Sequence, residues 1–260
     1  HTLFNITNVL LLIWFVPHIA SLVEKMIKPT DDDEEEEYKL EYFSTNVQPI
    51  PEIAIIEAKK EVIKMSDMIK KMLKLFIETF KNKKDILESI SEARKIEIRS
   101  DQMQEQISGY LAECTKHELS LDSSQGAAVM MRLTNELESV GDSTFNLFIQ
   151  MEQGYNKTKF SNEMNKEIID FYSVVSTFIE WNASFIFDNI KSMRKIDLDK
   201  SIKYENEIDQ IRNNLLDSSQ KRLSKGSEPK SELLFMDIIK HLEHIGDYSL
   251  NISQALEQLD

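Results

Sequence analysis

Two ten-residue stretches of the sequence carry the same acidic pattern. Residues 137–146 read Leu-Glu-Ser-Val-Gly-Asp-Ser-Thr-Phe-Asn, and residues 242–251, 105 positions further on, read Leu-Glu-His-Ile-Gly-Asp-Tyr-Ser-Leu-Asn. On a helix, each stretch places a Glu, an Asp and an Asn on one stripe at intervals of four residues. Like charges at this spacing repel by about 0.2–0.5 kcal/mol per pair, and an interior Gly costs about 1 kcal/mol relative to Ala. A chain that accepts both penalties twice is expected to hold a cation between these carboxylates.

A second acidic pair precedes each stretch. It is a Glu with an Asp four residues later, followed directly by a Gln, and the pattern recurs 108 residues further along the chain. If the helices that carry these pairs run antiparallel to the helices of the ten-residue stretches, the pairs face each other, with midpoints at Ser120 and Gly226. Four carboxylates then lie at one level of each half, about 30 Å from the turn. The predicted metal ligands are Glu97, Asp101, Glu138 and Asp142 in the first half and Glu205, Asp209, Glu243 and Asp247 in the second, with Asn146 and Asn251 as candidates for supporting contacts around them.

Four carboxylates across one helix seam cannot all stay ionised without a counter-charge. The all-oxygen ligand set favours divalent or trivalent ions such as Fe, Mn, Mg or Ca, and carboxylates can bridge several of them. Gly141 and Gly246 lack a Cβ and so would let a neighbouring helix or the metal approach closely. The alternative is a polar seam that is neutralised by the many lysines.

Other acidic, histidine and cysteine residues lack this twofold repetition. His244 is a candidate peripheral metal ligand, whereas the Cys114 and His117 pair is interpreted as incidental. Further acidic residues at the same i,i+4 spacing, namely the pairs Glu88/Glu92 and Glu163/Glu167, are interpreted as solvated helix faces.

The elements that must position these residues are predicted to be helices. Six Gly and five Pro among 260 residues leave few turns for sheets, so the fold class is all-α. Periodicity and breaks predict helices near 52–82, 84–117, 123–153, 161–194, 198–224 and 229–258. These form two pseudo-symmetric antiparallel three-helix bundles, over residues 51–155 and 156–260.

The first fifty residues differ from the remainder. From Thr2 onward about 22 residues carry no Asp, Glu, Lys or Arg, close to the ~20 that span a bilayer, so residues 1–27 are predicted to be the last transmembrane helix of a membrane domain. An amphipathic surface helix or a hydrophobic leader is the alternative. Lys25 and Lys28 then place the rest of the chain in the cytoplasm. Residues 28–50 include an acidic run and are predicted to be a solvated linker. The first residue is His1 rather than Met, so the chain is expected to be a piece of a longer protein.

Charge and cysteine content restrict the function further. The formal net charge of −14 argues against nucleic-acid binding, which selects basic surfaces. A single cysteine excludes an intramolecular disulfide and fits a reducing compartment.

With these residues in view, the chain resembles the PhoU-like family over about residues 52–260, since 137–146 and 242–251 look like its two signature segments. The start of the chain, His1 to Asn5 followed by an apolar segment, resembles the close of the membrane domain in bacterial sodium/phosphate cotransporters. The resemblance implies a non-enzymatic, metal-cluster-binding regulatory domain in the cytoplasm, attached to a phosphate-transport membrane domain in the bacterial inner membrane.

Two other functions remain open, and a homodimer is compatible with each interpretation. A carboxylate-bridged di-metal enzyme would also use a helical bundle, although its usual Glu-x-x-His motif is not aligned with the acidic pairs. A structural scaffold that dimerises through exposed apolar faces is the third interpretation.

Overall fold

The structure, a computed structural model, describes residues 51–83, 85–116, 119–157, 160–187 and 189–259, together with Phe15 by itself. Within these ranges the chain forms helices and no strand, which confirms the all-α prediction for this part. The six helices are α1 (Pro51–Asn82), α2 (Ile86–Cys114), α3 (Leu121–Lys157), α4 (Asn162–Ile186), α5 (Lys195–Ser224) and α6 (Pro229–Glu257).

The predicted membrane helix and acidic linker, residues 1–27 and 28–50, lie outside the described residues apart from Phe15. Among the residues that are described, no helix combines the length and the apolar character needed to cross a bilayer.

The helices group three and three. Helices α1, α2 and α3 pack against one another, as do α4, α5 and α6, and the groups meet through α3 against α6 and α1 against α4. The hydrophobic core runs through both groups. Phe76 of α1 makes an edge contact with Phe148 of α3, with 5.7 Å between the ring centroids, and lies 6.5 Å from Tyr172 of α4. Burying such side chains is worth about 1.5–3 kcal/mol each, so the shared core holds the two bundles together.

Local sequence signals explain three of the helix ends. The Ser161 hydroxyl accepts a hydrogen bond from the backbone N–H of Met164 (3.1 Å) and so caps α4. Gly226 adopts a φ of +90°, which ends α5, and Pro229 opens α6 at a position where its missing N–H is not needed. Gly226 lies in the break between the two predicted helices, 198–224 and 229–258, and Pro229 is the predicted first residue of the second.

Helix α4 ends at Ile186 and not at residue 194 as predicted. Ile190 and Met193, which continued the apolar pattern, are buried in the following segment, 4% and 2% exposed. The Met193 N–H donates to the Leu256 carbonyl oxygen (3.1 Å), so this segment packs against the end of α6 instead of extending the helix.

The next helix, α5, begins three residues earlier than predicted. The Asp197 carboxylate accepts a hydrogen bond from the backbone N–H of Arg194 (3.2 Å) and so caps the first turn. Helix α3 continues four residues beyond its predicted end, through Gly154, where a Cβ would lie 3.2 Å from the Phe160 ring.

A buried ion network joins the three helices of the second bundle. Arg222 of α5 donates to Glu232 of α6 (2.9 and 3.2 Å) and to Glu167 of α4 (2.9 Å). Glu232 is fully buried and also accepts hydrogen bonds from Ser219 (2.6 Å) and Ser227 (2.7 Å). The interpretation of Glu167 as part of a solvated face was therefore wrong, because its half-buried carboxylate is paired with Arg222.

Candidate metal centres

The first carboxylate quartet comprises Glu97 and Asp101 of α2 and Glu138 and Asp142 of α3. One carboxylate oxygen from each of Glu97, Asp101 and Asp142 lies within 4.8 Å of the other two. Glu138 stands outside this group of three, although the charges of both aspartates act on it. Asp101 and Asp142 are exposed and the two glutamates are half-buried, so this quartet opens to solvent.

The facing register deduced from residue numbers agrees with a hydrogen bond elsewhere on the same two helices. The Gln104 side chain donates to the Asn135 side chain (2.7 Å), and this pair has the same midpoint as the predicted facing pairs of the first quartet. In the second half, the Ser219–Glu232 hydrogen bond lies within one residue of the predicted register. Both hairpins therefore run antiparallel with the acidic pairs level.

Electrostatic crowding in the first quartet is strong. Burial, together with the negative charges of Asp101 and Asp142, raises the pKa of Glu97 to about 7, and the nearby Arg94 only partly opposes this shift. Burial also raises the pKa of Asp101 and of Glu138, again with help from neighbouring carboxylates. Desolvation is the larger cause throughout and repulsion the smaller, whereas the sequence argument rested on repulsion.

The second carboxylate quartet comprises Glu205 and Asp209 of α5 and Glu243 and Asp247 of α6. One oxygen from each of Glu205, Asp209 and Asp247 again lies within 4.8 Å of the others. Glu243 is only 7% exposed, and its Oε2 atom has no hydrogen-bond partner among the described residues. A buried carboxylate oxygen without a hydrogen bond is costly, and a bound cation would satisfy it.

Two nitrogen-bearing side chains border the second quartet. The Arg212 Nη2 atom lies 3.4 Å from Glu243 Oε1. The His244 Nδ1 atom lies 3.5 Å from Glu243 Oε2 and 3.8 Å from Asp247 Oδ2. Burial raises the pKa of Glu243, the charge of Asp247 adds to this, and Arg212 and His244 oppose it.

The same balance acts on the other members of the second quartet. Burial, followed by the charges of Asp209 and Asp247, raises the pKa of Glu205. Burial also raises the pKa of Asp247, although His244 lowers it. His244 is among the candidate ligands predicted from the sequence, whereas Arg212 is not. The one sequence signal for Arg212 is that the corresponding position of the first half, 108 residues earlier, holds the uncharged Gln104.

The two helix-interior glycines allow close helix contacts. A Cβ at position 246 would lie 2.9 and 3.0 Å from atoms of Ile208 on α5, and one at position 141 would lie 3.3 Å from the Ser100 hydroxyl on α2. Ser100 and Ile208 are separated by the same 108 residues as the acidic pairs. Of the two roles considered for these glycines, the structure therefore shows the approach of a neighbouring helix.

The two repeated asparagines form hydrogen bonds away from the carboxylates of the quartets. Asn146 donates to the backbone carbonyl oxygen of Asp142 (3.0 Å), one turn earlier on the same helix. Asn251 donates to Glu136 (2.9 Å) and so links α6 to α3. These bonds give Asn251 a role in joining the bundles, which sequence spacing did not indicate.

The donor sets of both quartets fit metal ions. The first offers carboxylate oxygens only, which suits hard ions, and the second adds an imidazole nitrogen close to an unpartnered buried oxygen. Deprotonated carboxylates that are crowded and partly desolvated gain most from a bound cation.

A family model described as PhoU domain matches residues 62–148 and 188–256 of the chain. Among solved structures, PhoU from Pseudomonas aeruginosa is similar with a TM-score of 0.70 at 15% identity, covering 80% of this chain and 97% of that one. The phosphate transport system regulatory protein PhoU from Streptococcus pneumoniae has a TM-score of 0.67 at 15% identity, covering 81% and 96%. A comparison with curated protein sequences returned no significant match.

Proposed function

The chain belongs to the PhoU domain family, and from that premise we propose that it is a non-enzymatic, metal-binding regulatory domain of a sodium-dependent inorganic phosphate transporter. The neighbour from Streptococcus pneumoniae is itself described as a regulatory protein of a phosphate transport system. In the proposed arrangement, residues 28–260 lie in the cytoplasm of a bacterium.

Metal binding is supported most directly by the buried Oε2 atom of Glu243, which has no hydrogen-bond partner among the described residues. Two further observations agree with it: the raised pKa of Glu97, caused first by burial, and the recurrence of an oxygen cluster at the corresponding place in each half. The first quartet would hold Fe, Mn, Mg or Ca through carboxylates alone, and the second would use its own four carboxylates with the His244 imidazole beside them. A bound cation supplies positive charge that neutralises the carboxylates and offers coordination positions to phosphate or to an acidic partner.

The carboxylates themselves would then switch the stability of the bundle. Without metal, the acidic pairs of α2 and α3, and of α5 and α6, repel one another across each seam. An ion draws the two helices of each seam together, and the fold gains about 2.7 kcal/mol when the free ion is 100-fold above its dissociation constant. Occupancy could thereby change the surface that the domain presents to the transporter.

Attachment to the membrane is supported by the sequence of residues 1–27, which precede the described helices. From Thr2 they contain an uncharged run of about 22 residues, close to the length of a bilayer span, and Lys25 and Lys28 after this run suit the cytoplasmic side.

Metal analysis of purified protein tests the proposal. After chelation and readdition of Mn²⁺ or Fe²⁺, the parent protein should retain ions through dialysis and melt at a higher temperature at pH 7. A variant that carries Asn in place of the four quartet aspartates should lose both responses; the substitutions are Asp101→Asn, Asp142→Asn, Asp209→Asn and Asp247→Asn.

The matched control replaces an acidic pair of the same spacing that lies on an exposed helix face, through Glu88→Gln and Glu92→Gln. This control should bind and respond to metal like the parent. If the quadruple variant retains metal as the parent does, the quartet aspartates do not hold the ions and the proposal is wrong.

A further inference from the structure

The two quartets are not chemically equivalent. In the first half, the residue that follows the quartet glutamate Glu138 of α3 is Ser139. In the second half, the residue that follows the quartet glutamate Glu243 of α6 is His244. On the preceding helix of each half, Gln104 of α2 corresponds to Arg212 of α5. The second quartet therefore has an imidazole and a guanidinium where the first has a hydroxyl and an amide.

The imidazole is placed as a metal ligand. Two ligands about 2.1 Å from a tetrahedral ion are roughly 3.4 Å apart. The observed separations, 3.5 Å from His244 Nδ1 to Glu243 Oε2 and 3.8 Å to Asp247 Oδ2, approach this value without any rearrangement of the helix. The ligand atoms of Glu243, His244 and Asp247 all lie within 4.8 Å of one another.

The buried oxygen at this place is the second observation that points to an ion. Glu243 Oε2 is the nearer of the two carboxylate partners of His244, and it has no hydrogen bond to any described residue. The other oxygen of the same carboxylate faces Arg212 at 3.4 Å, which holds the side chain in this orientation. The Tyr248 ring lies beside His244, with centroids 6.3 Å apart and the ring planes at 29°.

We propose that Glu243, His244 and Asp247 form a mixed nitrogen and oxygen site that selects Zn²⁺ over Mg²⁺ and Ca²⁺. The inference rests on the proposed function, namely that the quartets bind metal. Imidazole is a good ligand for Zn²⁺, whereas Mg²⁺ and Ca²⁺ prefer oxygen. Asp247 also belongs to the oxygen cluster with Glu205 and Asp209, so its carboxylate joins the two sites.

An ion pair is the competing explanation of this geometry. A protonated His244 between Glu243 and Asp247 would neutralise them directly and would need no metal. Replacing it would then lower the stability of the fold and leave the preference among metal ions unchanged. The two explanations therefore differ in metal selectivity, which is measurable.

The experiment titrates chelator-treated protein with Zn²⁺ in excess Mg²⁺, and compares the parent with His244→Ser, which introduces the residue found in the first half. The Zn²⁺ affinity of the second site should fall by at least about 10–100-fold, which is the usual loss when a residue that only orients a ligand is replaced. The Mg²⁺ response should be unchanged. His241→Ser is the control, because His241 lies on the same helix outside the cluster, and it should keep the affinity of the parent.

Nitrogen NMR of the histidine side chains gives an independent readout. Zn²⁺ should shift the imidazole resonance of His244 in the parent, and the signal of His241 should stay in place. If His244→Ser retains the preference for Zn²⁺ over Mg²⁺, the inference is wrong, although the quartets still bind metal. If the parent binds no ion at all, the proposed function falls, and the inference falls with it.

Discussion

The close packing of α5 and α6 at Gly246 predicts a measurable penalty for a single methyl group. In Gly246→Ala the new Cβ would lie 2.9 Å from Cδ1 and 3.0 Å from Cγ2 of Ile208, which is 1% exposed. Alanine gains about 1 kcal/mol of helix propensity. Overpacking in a filled core costs about 1–3 kcal/mol, and Cγ2 of a β-branched side chain cannot rotate away freely. We expect a net loss of about 1 kcal/mol of unfolding free energy.

The corresponding glycine of the first half is the matched control. In Gly141→Ala the nearest atom is the Ser100 hydroxyl at 3.3 Å, so a shift of a few tenths of an ångström relieves the contact. The helix-propensity gain is the same, and this variant should be neutral or more stable by up to about 1 kcal/mol. The two alanine variants should therefore differ by about 1–2 kcal/mol.

Urea denaturation of the chelator-treated protein measures both changes, and a double mutant assigns the cause. Ile208→Val removes Cδ1 and alone should cost about 0.5–1.5 kcal/mol. Combined with Gly246→Ala it should cost less than the sum of the two, since the closest contact is gone. Additive costs, or a Gly246→Ala protein as stable as Gly141→Ala, would refute the argument that this glycine exists for helix approach.

Three further predictions concern charge and attachment. Because the raised pKa of Glu97, about 7, leaves a proton on the folded form that the unfolded form has released, metal-free protein should lose stability as pH rises from about 4.5 to 7. Denaturation at pH 5.5 and 7 measures this, and greater stability at pH 7 would contradict it. Arg222→Met leaves Glu232 buried without its cation and should cost about 3–5 kcal/mol in urea unfolding. The exposed ion-pair control Arg194→Met should cost clearly less, because solvent screens that pair; equal costs would show that the network is not buried. Protein that includes residues 1–27 should partition into detergent, whereas protein that begins at Pro51 should stay in buffer; equal partitioning would oppose a membrane helix.

The register of the acidic pairs could be predicted from the sequence because it depends on numbering alone. Once two helices are joined by a short turn and run antiparallel, each residue has one facing partner. The Gln104–Asn135 hydrogen bond shares the midpoint deduced from the acidic pairs, and the turn at Gly226 lies where glycine and proline indicated it. This part of the candidate site therefore followed from spacing and turn chemistry.

Contacts that depend on the rotation of a helix about its axis could not be predicted in this way. Arg222 is one of 31 Lys and Arg residues, and nothing in its spacing distinguishes it from a solvated cation. Its ion pairs with Glu167 and Glu232 require three helices to meet, which only packing determines. Ile190 and Met193 misled the helix assignment for a related reason, since a buried irregular segment and a helix share the same apolar residues.

The contact of α3 with α6 and of α1 with α4 joins each helix to its counterpart in the other half. Contact between corresponding helices is also the arrangement of an isologous dimer, in which both subunits contribute the same surface patch. Here the two halves are one polypeptide, so their association does not depend on protein concentration. The covalent link also frees each half from symmetry: a substitution in one is not automatically copied in the other. Ser139 and His244 can therefore differ, which no homodimer of identical single bundles would allow.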